Sequence, residues 1–156
     1  MRIFGKVLTV AMLTVSLQAC GGGDGSNSGK FIGIWHPTSG TTTVTCPGFP
    51  VDTSQVTDNL TWAKGATSDL VSTDSTNCIL NANISGSTAT GSGVPCTFSD
   101  GAGGTGTLTV TSYTFSLSAD GQTAQESGSG TFVDNNGGVT ITCTVSLTAA
   151  YQKISG

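Results

Sequence analysis

Basic side chains are scarce in this sequence, and their scarcity excludes one class of partner. Charged residues make up 9% of the 156 positions, and five Lys and Arg stand against nine Asp and Glu. Binding to nucleic-acid phosphates requires clustered Lys and Arg, so we expect no nucleic-acid partner. The same acidic balance argues against electrostatic attachment to anionic lipid headgroups.

The sequence also lacks the patterns of common catalytic and metal sites. Histidine occurs once, as His36, and no C-x-x-C pair is present to bind zinc. There is no P-loop, no G-x-S-x-G, and no G-x-G-x-x-G between a strand and a helix. Paired carboxylates are the remaining catalytic option, but acids such as Asp58 and Asp120 fall at predicted turns. We therefore expect a protein that is not an enzyme, with no catalytic residues, bound metal or cofactor.

Helical periodicity is missing as well. No segment keeps a 3.6-residue apolar period over ten residues, and at most Ala66–Val71 forms one helical turn. By contrast, residues 139–148 alternate apolar and hydroxyl side chains, which predicts a half-buried strand with Val139 to Leu147 facing the core at odd positions. Shorter patterns of this kind begin at Phe31–Trp35. The sequence predicts an all-β antiparallel meander of about eight strands, closed as a small barrel or stacked as a sandwich.

One predicted strand changes phase. Leu108 and Val110 occupy even positions, whereas Tyr113, Phe115 and Leu117 occupy odd ones. A flat strand would place the two sets on opposite faces. A bulge or bend near residues 111–112 would return them to one face.

The first nineteen residues have the parts of an export signal. Arg2 and Lys6 give a positive start, and the apolar run of residues 7–17 is too short to span a bilayer, which needs about twenty helical residues. The segment Leu17-Gln18-Ala19-Cys20 then resembles the lipobox of bacterial lipoproteins. The resemblance implies cleavage between Ala19 and Cys20, and lipid on the Cys20 thiol and on its freed amine.

This resemblance sets the expected domain organisation and location. Residues 1–19 form the signal peptide, residues 20–29 the lipidated cysteine with a Gly/Ser-rich tether, and residues 30–156 a single β domain. The mature chain keeps three basic and nine acidic residues, a formal charge of −6. We expect a lipid anchor in a membrane of the cell envelope. In the sorting pattern of such lipoproteins, an Asp directly after the lipidated cysteine favours retention in the inner membrane. Gly21 occupies that position here, which favours the outer membrane. Whether the domain faces the periplasm or the cell surface stays open.

The other four cysteines are an even number in an exported chain, which predicts two disulfides. They are Cys46, Cys78, Cys96 and Cys143. Four cysteines allow three pairings, and the sequence does not choose among them. A meander brings successive cysteines together and so favours Cys46 with Cys78 and Cys96 with Cys143.

The segment Gly33-Ile34-Trp35 resembles the G-x-W signature of the lipocalin and avidin barrels. The resemblance implies that Trp35 plugs one end of a barrel and that a basic side chain near the last strand, here Lys153, packs over it. The alternative is an ordinary core Trp in a strand. In a barrel with a cavity, the candidate ligand-lining residues are Trp35, Trp62 and Phe115.

Two functions remain open. The first is a non-enzymatic lipoprotein whose β domain is structural or recruits a protein partner. The second is a lipocalin- or avidin-like barrel that binds a small apolar or carbohydrate ligand. A cavity larger than side chains fill would favour the second function.

The lipoprotein hypothesis makes Cys20 the anchoring residue. We expect Cys20→Ser to yield a soluble or uncleaved form, because the lipid would have no thiol to attach to. Fractionation of cells expressing each form, with the processed mass, measures this. A Cys20→Ser protein that is processed normally and still fractionates with membranes would contradict the hypothesis.

Overall fold

The structure, a computed structural model, describes residues 27–73, 78–99, 104–136 and 138–156. The predicted signal peptide with Ala19, Cys20 and most of the predicted tether lie outside these ranges. The described elements are the one-turn helix α1 (Ser28–Phe31) and the strands β1 (Gly33–Thr45), β2 (Asp52–Gln55), β3 (Leu60–Lys64), β4 (Leu70–Thr73), β5 (Ile79–Ser85), β6 (Thr88–Gly93), β7 (Cys96–Ser99), β8 (Thr105–Leu117), β9 (Thr123–Asn136) and β10 (Val139–Ser155).

Eight of these strands close into an antiparallel barrel. Its order is β1-β3-β4-β5-β6-β8-β9-β10, and β10 pairs back with β1. Of the two architectures that the sequence left open, the barrel is therefore the correct one. An eight-stranded barrel has an interior just wide enough to be filled by side chains or to hold one small ligand.

Four long strands continue past one rim of the barrel. β6 pairs with β8 only over Tyr113–Ser116 of β8, and Thr105–Leu108 of β8 lies beyond it and pairs with β7 instead. On the other side of the seam, Thr41–Val44 of β1 pairs with β2. The strands β2-β1-β10-β9-β8-β7 thus form an open sheet above the rim, which we call the rim sheet. We call the adjacent end of the barrel the mouth.

The opposite end of the barrel is closed around Trp35, as the G-x-W resemblance implies. The indole Nε1 donates to the Phe31 carbonyl of α1 at 2.8 Å, and its ring meets Phe115 edge-on at 5.1 Å between centroids. Lys153 Nζ lies over the same ring, 5.5 Å from its centroid, and donates to the Lys30 carbonyl at 3.0 Å. The basic side chain from the last strand therefore covers Trp35 and ties α1 to the barrel.

Gly33 explains the first position of the same motif. Its φ is +133°, and a Cβ there would collide with the Ser155 carbonyl oxygen. The first strand thus crosses the end of the last strand too closely for any side chain.

Most strand predictions are confirmed, and the exceptions have local causes. The register of β8 against β9 shifts between Val110 and Ser112, which is the predicted bulge. Phe31 ends α1 and is not the start of a strand, and Ala66–Asp69 forms bends and no helical turn. Cys143 is buried as predicted, but Val139 is 62% exposed because the rim sheet has no second layer over it.

Both disulfides form, but the favoured pairing is wrong. The bonds join Cys46 to Cys143 and Cys78 to Cys96. Cys46 follows β1, and Cys143 lies in β10, the strand that pairs with β1 at the barrel seam. Closure of the barrel makes these distant cysteines neighbours, and an open meander would not.

The two bonds close loops of different length, which predicts unequal contributions to stability. The bonded residues are 97 apart for Cys46–Cys143 and 18 apart for Cys78–Cys96. In the chain-entropy model these loops contribute about 4.7 and about 3 kcal/mol. We expect the pair Cys46→Ser and Cys143→Ser to lower the free energy of unfolding more than the pair Cys78→Ser and Cys96→Ser. Urea unfolding of the non-reduced domain measures this, and two alkylatable thiols among these four cysteines of the parent protein would contradict one of the bonds.

Candidate functional site

A concavity lies at the mouth of the barrel, and we call it the mouth cleft. Its volume is about 380 Å³. One wall is the chain from β2 to β3, and the other is the inner face of β1, β9 and β10. The lining residues are Thr42, Gln55, Val56, Thr57, Asp58, Asn59, Leu60, Glu126, Leu147 and Tyr151. A second concavity of about 80 Å³ lies beside α1 at the closed end and has no acidic lining residue.

Strand register explains why Glu126 reaches this cleft from inside the barrel. Glu126 in β9 is paired with Phe115 of β8 and Ala149 of β10, so all three face inward. Ala149 is in turn opposite Gly40 of β1. Gly40 and Ala149 are packed closely together on the side of the carboxylate that faces the seam, since a Cβ at Gly40 would lie 2.5 Å from the Ala149 Cβ.

Two tyrosines stand diagonally across from Glu126 on the neighbouring strands. The Tyr151 hydroxyl donates to Glu126 Oε2 at 2.7 Å. The Tyr113 hydroxyl also lies close to this carboxylate, but the geometry falls short of a hydrogen bond. Burial raises the pKa of Tyr113, and the charge of Glu126 adds to the rise. Glu126 is 6% exposed and Tyr113 4% exposed, so both polar groups are removed from bulk water.

Trp62 supplies a second unpartnered group in the same interior. It lies on β3, across the barrel from Tyr113 on β8, and their ring centroids are 5.8 Å apart. Trp62 is 1% exposed, and its Nε1 has no hydrogen-bond partner. An unpaired buried donor costs about 1–3 kcal/mol. Two such groups in one barrel are therefore a feature that core packing does not explain.

Burial dominates the electrostatics of Glu126. Loss of hydration raises the pKa of its carboxyl, and the nearby tyrosine hydroxyls, of which Tyr151 donates a hydrogen bond, oppose the rise only in part. Tyr151 has a raised pKa because it is buried and faces the negative charges of Glu126 and Asp58. Among the described residues, no Lys, Arg or His forms an ion pair with Glu126. The interior thus holds a carboxyl group without a counter-charge.

The three candidate lining residues lie deeper than the cleft. Trp35, Trp62 and Phe115 are all buried, and the Phe115 ring lies 5.1 Å from Trp35 and 6.0 Å from Trp62 between centroids. They form a packed aromatic layer toward the closed end. The residues that line the mouth cleft are different ones, and Tyr151, which contacts Phe115 at 5.8 Å, connects the two sets.

The remaining residues considered in the sequence are dispersed or outside the site. His36 is exposed, and its Nδ1 lies 2.9 Å from Asn59 Oδ1. Asp120 caps its own turn by accepting from Ser118 Oγ and from the Gln122 amide, which lowers the pKa of its carboxyl. Asp58 does line the cleft. Glu126 was missed at the sequence level, although it is the only glutamate and its neighbours in phase, Ala124 and Gly128, are small.

Within the described ranges, no group of three or more His, Cys, Asp or Glu residues is arranged to hold a metal ion. No helix in the same ranges has the length and apolar character needed to cross a membrane. Comparisons with protein-family models, with curated proteins and with solved structures found no match to the chain.

The raised pKa of Glu126 makes a signed prediction for stability. A group whose pKa is raised on folding stabilises the protein fully below its unfolded pKa, near 4.5, and this stability is lost as the pH rises through the folded pKa. Glu126→Gln has the same shape and cannot ionise. We expect the variant and the parent to be similar at low pH, and the variant to be more stable at higher pH by about 1.4 kcal/mol for each unit of the raised pKa.

Urea midpoints measured from pH 3 to pH 9 test this prediction. Contributions from groups far from the site, such as Asp120, are common to both proteins and cancel in the difference. A difference in unfolding free energy that does not change with pH would contradict a buried titrating carboxyl.

Proposed function

We propose that this protein is a lipid-anchored barrel of the cell envelope that binds a small polar ligand in its mouth cleft. The observation that carries the proposal is the cleft itself, which has a volume of about 380 Å³ and reaches the buried Glu126 and Tyr151. Sites for small ligands usually measure about 300–1,000 Å³, with a few polar groups that orient the ligand. The mouths of β-barrels are a preferred place for such sites.

The lining favours a ligand that carries hydroxyl or amide groups beside an apolar surface. Oxygen and amide groups from Thr42, Gln55 and Asn59 line the outer part of the cleft. Val56, Leu60 and Leu147 provide apolar surface between them. A carbohydrate offers the same alternation of hydroxyl groups and C–H surface, and a purely apolar ligand would leave the polar lining unpaired.

Binding is a better proposal than catalysis for this site. General acid–base chemistry usually needs a second group placed to complete a proton transfer. Asp58 lies in the exposed connection between β2 and β3, and Glu126 is buried with its hydrogen bond to Tyr151. The site therefore resembles a binding site with one buried carboxyl group, and it does not resemble a matched acid–base pair. Lipid on Cys20 would hold this barrel at the membrane surface.

The proposed lipid anchor on Cys20 and the mouth cleft together favour a role in capturing or presenting a small molecule near a membrane. Recruitment of a protein partner through the outer surface is the competing function. The rim sheet gives that function one supporting observation, since Phe49, Val51, Val94 and Val139 are exposed there or in its connections.

A pair of substitutions on one strand separates the two functions. Thr42 lines the cleft, and its neighbour Thr43 is on the opposite face of β1. We expect Thr42→Phe to fill the cleft and to lower ligand affinity at least about tenfold, because the ring occupies the volume that the ligand needs. Thr43→Phe should leave affinity unchanged. Ligand-observed NMR with a panel of neutral and charged sugars and small alcohols and amines measures both.

The two variants should unfold at similar urea concentrations, which controls for loss of the fold. No binding by the parent protein anywhere in the panel would remove the ligand function. Equal loss in both variants would also contradict the proposed cleft.

A further inference from the structure

We propose that the ligand of the mouth cleft carries a protonated amine, which pairs with the Glu126 carboxylate. This inference rests on the proposed function and names the chemical class of its ligand. Three observations carry it, namely a buried acid without a counter-charge, the aromatic and unpartnered groups around it, and the charge of the whole domain.

The first observation is that the protein leaves the charge of Glu126 uncompensated. Buried carboxyl groups are normally paired with a cation or coordinate a metal. Lys153, the basic residue on β10, lies at the closed end, where its Nζ covers Trp35 and donates to the Lys30 carbonyl. It is therefore committed to another contact. Tyr151 and Tyr113 are the polar groups nearest to Glu126, and neither supplies a positive charge.

The second observation is that one carboxylate oxygen has a hydrogen bond and the group retains further capacity. Tyr151 donates to Oε2, and a carboxylate has about four lone-pair positions in all. Since Glu126 lines the cleft, a donor entering from the mouth reaches it without a change in the fold. An ammonium group has three donors, and hydrogen bonds between ionised groups are roughly twice as strong as neutral ones.

The third observation concerns what surrounds that position. Tyr113 and Trp62 present aromatic rings to each other at 5.8 Å across the interior, and Tyr151 lines the cleft beside Glu126. Aromatic faces attract cations, more strongly when water is excluded. The Tyr113 hydroxyl and the Trp62 Nε1 have no hydrogen-bond partner, although both are buried and do not line the cleft.

Long-range charge acts in the same direction. The mature chain has three basic and nine acidic residues, and Asp58 lines the outer part of the cleft. A cleft of negative potential raises the local concentration of cations and speeds their association. An anionic ligand would meet Asp58 first and then a buried carboxylate, so both steps oppose it.

Matched probes that differ in one group test this proposal. Cyclohexylamine with cyclohexanol, and glucosamine with glucose, each pair a protonated amine with a neutral hydroxyl on one framework. We expect the amine of at least one pair to bind the mature protein about tenfold or more tightly than its hydroxyl partner at neutral pH. Isothermal titration in low salt measures both members of each pair.

Glu126→Gln is the decisive variant because it keeps the shape and removes the charge. We expect it to abolish the preference for the amine while the affinity for the hydroxyl partner changes less than about threefold. Asp58→Asn, at the outer part of the same cleft, should weaken the preference only slightly. Circular dichroism and urea unfolding of each variant show that the barrel is intact.

The outcomes separate this proposal from the proposed function. If the hydroxyl probes bind as tightly as the amines or more tightly, and if this binding is lost in Thr42→Phe, the amine proposal is overturned and the ligand function of the cleft is kept. An amine preference that survives in Glu126→Gln would overturn the role of Glu126. If no probe binds, or if the binding of every probe is unchanged in Thr42→Phe, both the amine proposal and the ligand function are overturned for these classes of molecule.

Discussion

Pairing between the first and last strands is the constraint on which the rest of the structure depends. β1 and β10 are antiparallel neighbours from Ile34 with Ser155 to Thr45 with Thr144, so neither remains an open edge. Closure of eight strands fixes the interior at a width that a few large side chains fill. It also brings Lys153 onto Trp35 and Cys143 beside Cys46. The plug, the seam disulfide and the shape of the cleft all follow from one pairing.

The interior is consequently divided along the barrel axis. Toward the closed end, Phe31 of α1 and Trp35 of β1 both pack against the ring of Phe115. Toward the mouth, the inward positions of the seam strands include the small residues Gly40, Thr42 and Ala149, with Leu147 opposite Thr42. The aromatic layer therefore closes one end, and the mouth cleft opens at the other. Glu126 lies between these two regions, where it is buried but still reached from the cleft.

The fold was more predictable from the sequence than the site. Alternation over residues 139–148 and the phase change after Val110 are local signals, and both correspond to the structure because inward and outward faces alternate along every strand. The Gly33 and Trp35 motif predicted the closed end, where Gly33 allows the first strand to cross the last one closely and Lys153 covers the Trp35 ring. The cysteine pairing failed because closure relates residues 97 positions apart. Glu126 was missed because its burial depends on three strands at once, and the apolar pattern of β9 is too weak to mark its inward face.

A barrel that needed only a packed core would gain by replacing Glu126. Substituting an apolar side chain of similar volume for a buried charged group is often neutral or stabilising, whereas a buried carboxyl without a counter-charge carries a lasting cost of desolvation. The Tyr113 hydroxyl lies close to the Glu126 carboxylate without forming a hydrogen bond, and the Trp62 Nε1 in the same interior has no partner. Local conflicts of this kind tend to cluster at functional sites. The conflict is relieved if the missing partner enters from outside through the mouth cleft, since the closed end is sealed by Trp35 and Lys153. With one end closed and the cleft at the other, the proposed ligand would have one direction of approach and one buried group, Glu126, to meet.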